Sequence, residues 1–493
     1  MTKNRNNVIA NYIGAGWSAA LSFVTIPLLL SMLGAEYYGL ISLFLALKAI
    51  ATVFDFGLAV ATNREVVFRL EKKSSSVDTL ITTVVTLYWV IGIVISFVVW
   101  LLLQIFLIDW VSAKELTSDQ LAMTSLLFTL SLSISWPVAL YQNILRSIDE
   151  YVTYNIALAV SATFRNPGAL LVLWIFSPTI EVFMYWYLMA SVLEILMYWG
   201  LVRRKLSLVL DYSRGRFDCN SLSGMKRFAL GTGFSSIVAT IIYQVDKMLI
   251  FKLLSLELLG YYSAILALVG AFGKLTAPIA TAAFPKLTST YGSGDMDSVA
   301  DMYLRYAHMI TNVLVPMVVG FIAFAPQILE LWCTSCTISN DLYYVFVFLS
   351  IAYMFYSLAD MPVISQMVFK NINILIISRV VALVLLVPLL SFLIVDYGLE
   401  GAAVGVLACS VFLYIILAIS TSKIIFPQYR VNEPVMLVKP LLISISIFYS
   451  LQHIYLVWSK DSLTWISLAV VGAITSYLII FRSYFVRAKK RDT

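Results

Sequence analysis

The chain has 493 residues, of which 61% are hydrophobic and 12% are charged; its mean hydropathy is +0.91 and its formal net charge is +6. This apolar share is far above that of a soluble domain, so the sequence predicts a fold whose solvent is mostly lipid. No stretch between the apolar runs is long enough to form a separate soluble domain, which excludes a large extramembrane enzyme domain.

Apolar runs of about 20 residues, the length that crosses a bilayer, recur along the chain. The first run follows a polar start and continues to Leu33 without the short apolar core and cleavage site of a secretion signal, so we expect a retained span. Together the runs predict about fourteen membrane helices, which start near Val8, Tyr37, Thr79, Leu121, Tyr151, Ile180, Phe228, Leu256, Ala300, Leu342, Ile372, Glu400, Pro434 and Leu463.

Lys and Arg residues are concentrated in alternate loops and in the tail. Short basic loops stay in the cytoplasm, so both termini are predicted to be cytoplasmic. This topology explains the net charge of +6 without a nucleic-acid partner. The tail is expected to contact anionic lipid headgroups. The main basic residues of these segments are Lys72, Lys73, Arg203, Arg204, Lys205, Arg487, Lys489, Lys490 and Arg491.

An internal repeat is visible at an offset of about 221 residues, where the second and eighth spans coincide. Glu36 and Gly39 then align with Glu257 and Gly260. Chance similarity between two helices rich in Leu and Ala is the alternative. An even number of spans separates the copies, so both have the same orientation and a pseudo-two-fold axis along the membrane normal is predicted.

The predicted fold is therefore an all-α polytopic membrane protein with two six-helix lobes and two additional C-terminal helices. We assign residues 1–205 to the N-terminal lobe and 206–227 to a cytoplasmic linker. Residues 228–425 form the C-terminal lobe, and residues 426–493 form the extra helices and the basic tail.

Four cationic side chains are predicted at depth in the membrane: Lys48 and Arg165 near the midplane, and Lys274 and Arg379 in the cytoplasmic half. A buried charge costs at least about 2.5 kcal/mol in lipid, so such residues normally face a protein interior or a wet cavity. Both lobes contribute, which predicts a shared cationic cavity for an anion such as phosphate. The alternative is that each cation forms a structural ion pair, for example Lys48 with Asp55.

Four acids in the spans are candidates for coupling transport to H+ or Na+: Asp55, Glu194, Asp246 and Asp360. For Asp246, an internal interaction with the adjacent Lys247 is the simpler explanation.

Two spans contain proline beside polar residues. Pro167 closely follows Arg165 and predicts a kink or a short unwound stretch, because proline removes a helical hydrogen bond. Asp360 and Pro362 predict a similar polar break in the tenth span, for which a packing kink is the alternative.

Motifs for nucleotide binding, dinucleotide binding, zinc proteolysis and serine hydrolysis are missing from the sequence. We therefore predict no catalytic residue, no cofactor and no enzymatic activity. Cys333 and Cys336 form a lone CxxC without further zinc ligands nearby, so no metal site is predicted; a disulfide and two free thiols both remain open.

Several segments resemble one family in the right order along the chain. They are residues 54–58 (FDFGL) with Arg64 and Glu65, residues 243–247 (YQVDK) leading to residues 259–262 (LGYY), residues 284–287 (FPKL) and residues 325–329 (APQIL) with Leu331 and Trp332. The family is the polysaccharide transporter or O-antigen flippase branch of the multidrug/oligosaccharidyl-lipid/polysaccharide exporter superfamily.

The resemblance implies a central cavity that opens alternately to each side of a bacterial inner membrane. Its expected cargo is undecaprenyl-pyrophosphate-linked oligosaccharide, moved from the cytoplasmic to the periplasmic leaflet with H+ or Na+ as coupling ion. Membrane lipids and other polysaccharide assembly proteins are the further expected partners. A drug/cation antiporter of the same superfamily would need an acidic cavity, and a membrane-embedded glycan polymerase or glycosyltransferase would need a sizeable outer loop.

Overall fold

A computed structural model of the chain describes residues 2–72, 77–110, 116–209, 215–222, 226–332, 340–429, 433–458 and 462–489. Helices account for almost all of these residues, and they include no β-strand. The chain divides into two compact units, unit 1 (Met1–Gly260) and unit 2 (Tyr261–Thr493).

The helices of unit 1 are long and apolar, with short connections. They are α1 Thr2–Leu33, α2 Ala35–Ala51, α3 Leu58–Glu71, α4 Val77–Trp110, α5 Ser118–Ser135, α6 Val138–Ser147, α7 Tyr151–Ile175, α8 Ile180–Val209, α9 Lys226–Leu253 and α10 Leu256–Val269, which continues past the unit boundary.

Unit 2 has the same character. Its helices are α11 Ala271–Gly292, α12 Met296–Ala323, α13 Ala325–Trp332, α14 Asn340–Leu358, α15 Asp360–Val368, α16 Ile372–Ser420, α17 Glu433–Trp458 and α18 Ser462–Lys489.

The predicted all-α membrane fold is confirmed, and the helices begin within a few residues of the predicted starts. Within the described ranges, 11 helical stretches are long and apolar enough to cross a membrane. Four predicted spans consist of two successive helices each: α2 with α3, α5 with α6, α10 with α11, and α14 with α15. Conversely, α16 covers two predicted spans, because Gly398 (φ 57°, ψ −132°) breaks it with a backbone conformation that glycine adopts without steric cost.

The repeat-related glycines lie against each other inside unit 1. A Cβ on Gly39 would lie 1.9 Å from the carbonyl oxygen of Leu256, and a Cβ on Gly260 would lie 2.0 Å from the carbonyl oxygen of Ala35. Positions 35 and 256, like positions 39 and 260, are separated by the repeat offset, so the two contacts are equivalent under the repeat. Such reciprocal contacts are those of elements related by a two-fold axis, and they support the internal repeat. The predicted lobe boundaries stay a prediction.

The described part of the predicted linker is fixed to the helices of unit 1. Arg69 on α3 donates to the carbonyl oxygen of Ser221 at 2.6 Å, and the backbone N–H of Asp218 donates to Thr83 Oγ1 on α4 at 3.0 Å.

In unit 2, Phe324 packs against Phe448 and Tyr455 of α17 and Trp465 of α18. Each of the two extra C-terminal helices therefore packs one face against the rest of unit 2.

We expect Gly39→Ala to destabilise the protein by roughly 1–3 kcal/mol, because the new methyl group would overlap backbone atoms that cannot move as a flexible side chain can. The measurement is the thermal unfolding midpoint of the purified protein in detergent, followed by tryptophan fluorescence. Gly200→Ala is the matched control, since a Cβ on Gly200 meets nothing within 4 Å. Equal midpoints for the two variants would contradict the close crossing at Gly39.

Candidate functional site: a cationic cluster in unit 1

Two of the predicted cations meet at one tyrosine. Tyr187 on α8 is only 7% exposed, and Lys48 Nζ on α2 lies 3.5 Å from its hydroxyl oxygen and 5.8 Å from its ring centre. The guanidinium carbon of Arg165 on α7 lies 5.1 Å from the same ring centre. Lys48 also donates to Ser135 Oγ on α5 at 3.0 Å. The electron-rich ring and the two hydroxyl groups replace part of the hydration that these cations lose in the membrane.

One acid, Glu194, pairs with one of these two cations. Arg165 Nη2 lies 2.5 Å from Glu194 Oε2 on α8, and the side chains are 28% and 11% exposed, respectively. This ion pair links two helices and is not an intrahelical pair. We call Lys48, Arg165, Tyr187 and Glu194 the cationic cluster. With two formal positive charges and one negative charge, the cluster has a net positive charge that an anion can neutralise.

Asp55 does not neutralise Lys48. Its Oδ1 accepts a hydrogen bond from the hydroxyl of the buried Tyr88, and its Oδ2 accepts from the backbone N–H of Ala59 at 3.4 Å. This geometry arises because a 3₁₀ turn, Thr52–Asp55, ends α2 and is followed by Phe56 and Gly57 in left-handed conformations (φ 47° and 74°). Asp55 is therefore the last residue of the 3₁₀ turn, four residues after the end of α2, and faces the start of α3. The suggested structural pair between Lys48 and Asp55 is wrong.

Asp246 lies on α9 and is 4% exposed. Its Oδ1 accepts from the backbone N–H of Lys247 at 2.8 Å, whereas the Lys247 ammonium donates to Gln244 Oε1 at 2.7 Å. The Asp246 carboxylate therefore bonds to the backbone N–H of Lys247, whereas the Lys247 ammonium group bonds to Gln244.

The remaining predicted site residues lie in unit 2. Lys274 on α11 is exposed, and Arg379 on α16 is half-buried. Asp360 is the half-buried first residue of α15, and within the described ranges no side chain donates a hydrogen bond to it. That Lys274 and Arg379 act on the same anion as the cationic cluster stays a prediction.

The two predicted helix breaks differ. α7 continues through Pro167 without an unwound stretch, and the Trp186 indole N–H donates to the carbonyl oxygen of Phe164 at 3.0 Å beside the proline. Gly168 provides the space for this indole, since a Cβ there would lie 2.5 Å from the Trp186 ring. Trp186 of α8 thus packs beside Pro167, where the sequence predicted a kink or a short unwound stretch.

The break in the tenth span is present, because α14 ends at Leu358 and α15 begins at Asp360. The polar residues of α15 bond to the end of α16: Ser365 Oγ lies 3.0 Å from Thr421 Oγ1, and Gln366 Nε2 donates to Ser420 Oγ at 3.1 Å. These hydrogen bonds fix the short helix in unit 2 and leave Asp360 at its start.

Tyr187 and Ser135 were not identified from the sequence. Tyr187 precedes Glu194 by two helical turns, and this spacing places both side chains on one face of α8. An aromatic residue on the same helix face as a membrane-embedded acid could therefore have indicated Tyr187 from the sequence. Ser135 offered no such signal, because serine is common in membrane helices and its role depends on the position of Lys48.

The cysteines and the possible metal ligands are described for part of the chain. It contains no group of three or more His, Cys, Asp and Glu residues able to hold a metal ion. Cys219 is exposed and Cys409 is buried. Cys333 and Cys336 lie outside the described residues.

Comparisons with known proteins found a matching family model and a curated relative. Residues 5–291 match the model of the polysaccharide biosynthesis protein family. A putative O-antigen transporter of Shigella flexneri is 21% identical over 401 residues, which cover 81% of this chain and 93% of the relative.

Two solved structures show the fold. A lipid II flippase MurJ in an inward closed conformation shares 15% identity with a TM-score of 0.75, covering 97% of this chain and 98% of its own. An inward-facing multidrug resistance transporter of the MATE family and MOP superfamily shares 15% identity with a TM-score of 0.63, covering 82% and 92%. At these identities the likeness establishes the two-lobe transporter fold alone.

We expect Tyr88→Phe to destabilise the protein by about 1–3 kcal/mol, because it removes the hydroxyl donor of the Asp55 carboxylate. Thermal unfolding of the purified protein measures this loss. The exposed Tyr397 provides the control variant Tyr397→Phe, which should leave the midpoint unchanged. In the double variant with Asp55→Asn, the two losses should not add, since both remove one interaction; full additivity would show that the hydrogen bond is unimportant.

Proposed function

The chain belongs to the polysaccharide biosynthesis protein family, and we propose that it is a flippase for undecaprenyl-pyrophosphate-linked oligosaccharide, such as an O-antigen repeat unit. It is a multi-pass membrane protein with the fold of lipid-linked oligosaccharide and multidrug transporters. In this proposal it lies in the inner membrane with both termini in the cytoplasm, moves its cargo from the cytoplasmic to the periplasmic leaflet, and has no catalytic step.

The observation that carries the proposal is the net positive charge of the cationic cluster. A diphosphate in lipid needs compensating cations, and a guanidinium group can donate two parallel hydrogen bonds to phosphate oxygens. Arg165 is the more exposed member of its ion pair, with 28% of its side chain exposed against 11% for Glu194. Lys48 adds a second positive charge at the same tyrosine, and the Tyr187 and Ser135 hydroxyls add hydrogen-bonding groups beside it.

The rest of the mechanism follows from the chemistry of such a cargo. Its polyprenyl chain stays in lipid, whereas the sugars and the diphosphate need a polar route, which alternating access supplies. We propose Lys274 and Arg379 of unit 2 as further contacts of the diphosphate.

We propose that a coupling ion, H+ or Na+, binds at an acid outside the cationic cluster. The candidates are Asp55, Asp246 and Asp360. Asp360 combines the features expected of such a site: it lies at a helix break in a membrane span, and among the described residues nothing donates a hydrogen bond to its carboxylate.

A drug/cation antiporter is the second candidate, because the MATE-family structure shares the fold. A cationic drug would need a net negative site. The cationic cluster has the opposite sign, and it therefore favours the anionic cargo.

We expect Arg165→Ala and Lys48→Ala each to abolish surface glycan while the protein stays at its normal level in the membrane, because each removes one charge that compensates the diphosphate. Glycan display on the producing cells and immunoblots of their membranes measure the two quantities. Arg204→Ala removes an exposed cation at the end of α8 and is the matched control, which should display normal glycan. Normal display in both cluster variants would remove the site assignment.

Deletion of the protein should leave the lipid-linked repeat unit in the cytoplasmic leaflet, where it is inaccessible to a membrane-impermeant periplasmic glycosidase. Drug susceptibility of the deletion strain should equal that of the parent. Increased susceptibility together with normal glycan export would favour the antiporter instead.

A further inference from the structure

We propose that Glu194 is the counter-ion that the diphosphate displaces from Arg165, and that the released carboxylate takes up one proton as the cargo binds. The inference rests on the proposed function and concerns the charge balance of the same site when the cargo binds.

The geometry gives Glu194 a single cation. Its Oε2 is bonded to Arg165 at 2.5 Å, and in the described part of the chain no other cation bonds to it. Lys48 is directed to Ser135 and Tyr187 instead. Glu194 is 11% exposed and Arg165 28%, so an incoming anion meets the guanidinium before it meets the carboxylate.

Within the cationic cluster, the charges balance only if a proton is added. The diphosphate of a lipid-linked sugar is esterified at both ends and has two negative charges, which the two positive charges of Lys48 and Arg165 match. Once Arg165 bonds to the diphosphate, the carboxylate of Glu194 loses its cation in a low-dielectric setting. An isolated charge there is very costly, and such a group becomes neutral instead.

The other titratable groups around Glu194 do not provide a substitute cation. Tyr154 and Tyr198 are not cationic side chains, and the Arg146 guanidinium lies over the Tyr154 ring at 4.9 Å and donates to the carbonyl oxygen of Gln142. Gln142 in turn donates to the Tyr198 hydroxyl at 3.2 Å. The groups that face this region are Lys48 from α2, Arg146 from α6, Arg165 and Tyr154 from α7, and Tyr187 and Tyr198 from α8.

The proton comes from water and bonds to a carboxylate oxygen of Glu194; it returns to water when the diphosphate leaves and Arg165 pairs with Glu194 again. It therefore travels with the cargo and reduces the charge moved across the membrane by one. Such a proton is not counter-transported, so the coupling ion has to bind at another acid.

The test is calorimetric titration of the purified full-length protein with farnesyl-diphospho-N-acetylglucosamine, in two buffers that differ in ionisation enthalpy. The difference in apparent binding enthalpy gives the number of protons taken up. We expect the native protein to take up about one proton more per bound molecule than Glu194→Gln, which has no carboxylate to protonate. Glu194→Gln should also bind about tenfold more tightly, because the competing ion pair is missing. Glu194→Asp should restore the uptake.

Infrared difference spectra of the native protein test the same point without a variant, since binding should produce the carbonyl stretch of a protonated carboxylic acid. Binding without this band, or equal proton uptake by the native protein and Glu194→Gln, overturns the inference and leaves the proposed function intact. Weaker binding by Glu194→Gln would show that Glu194 only positions Arg165. No binding of the probe by the native protein overturns the proposed function and the inference with it.

Discussion

The stabilisation of positive charge inside a membrane is the constraint on which the candidate site depends. Each buried cation needs groups that replace its lost hydration. Lys48 and Arg165 find these groups at the Tyr187 ring, the Ser135 hydroxyl and the Glu194 carboxylate. Because the cationic cluster contains two cations and one acid, which pairs with Arg165, the cluster's own acid neutralises only half of the positive charge. The other half is available for an anionic ligand.

Interrupted helices place the polar groups where such chemistry is possible. A continuous membrane helix satisfies its own backbone and directs its side chains at fixed intervals. The left-handed residues Phe56 and Gly57 end this regularity and bring the Asp55 carboxylate to the start of α3. The break before Asp360 has the same effect in unit 2. At Pro167 the helix continues, because Trp186 packs beside it and donates to a backbone carbonyl group.

The fold permits more than one cargo. It is shared with a lipid II flippase and with a multidrug transporter, which indicates that the arrangement of helices does not select the ligand. The sign of the charge at the site is more informative, because an anion and a cation need opposite compensation. Net positive charge around Tyr187 is thus the reason to prefer a diphosphate-linked cargo over a cationic drug.

The sequence by itself determined the all-α membrane fold, the order of the apolar runs along the chain, and the charged residues that lie in them. These features follow from the length of apolar runs and from the cost of placing charge in lipid, both of which are local properties. The glycines at positions 39 and 260 were also recognisable from the repeat, although their mutual contact was not.

Only the tertiary structure determined which partners lie next to the charged side chains. Lys48 and Ser135 are 87 residues apart, Lys48 and Tyr187 are 139 residues apart, and Arg165 and Glu194 are 29 residues apart. In a water-soluble helix the polar face indicates how the helix is rotated, but a membrane helix is apolar on nearly all sides and lacks that signal. The rotation of α2, α7 and α8 is set by their packing: α7 packs against α8, whereas α2 packs against α1 and α9. The 3₁₀ turn after α2 separates Lys48 from Asp55, its nearest acid in the sequence, and the packing of α7 against α8 brings Arg165 to Glu194.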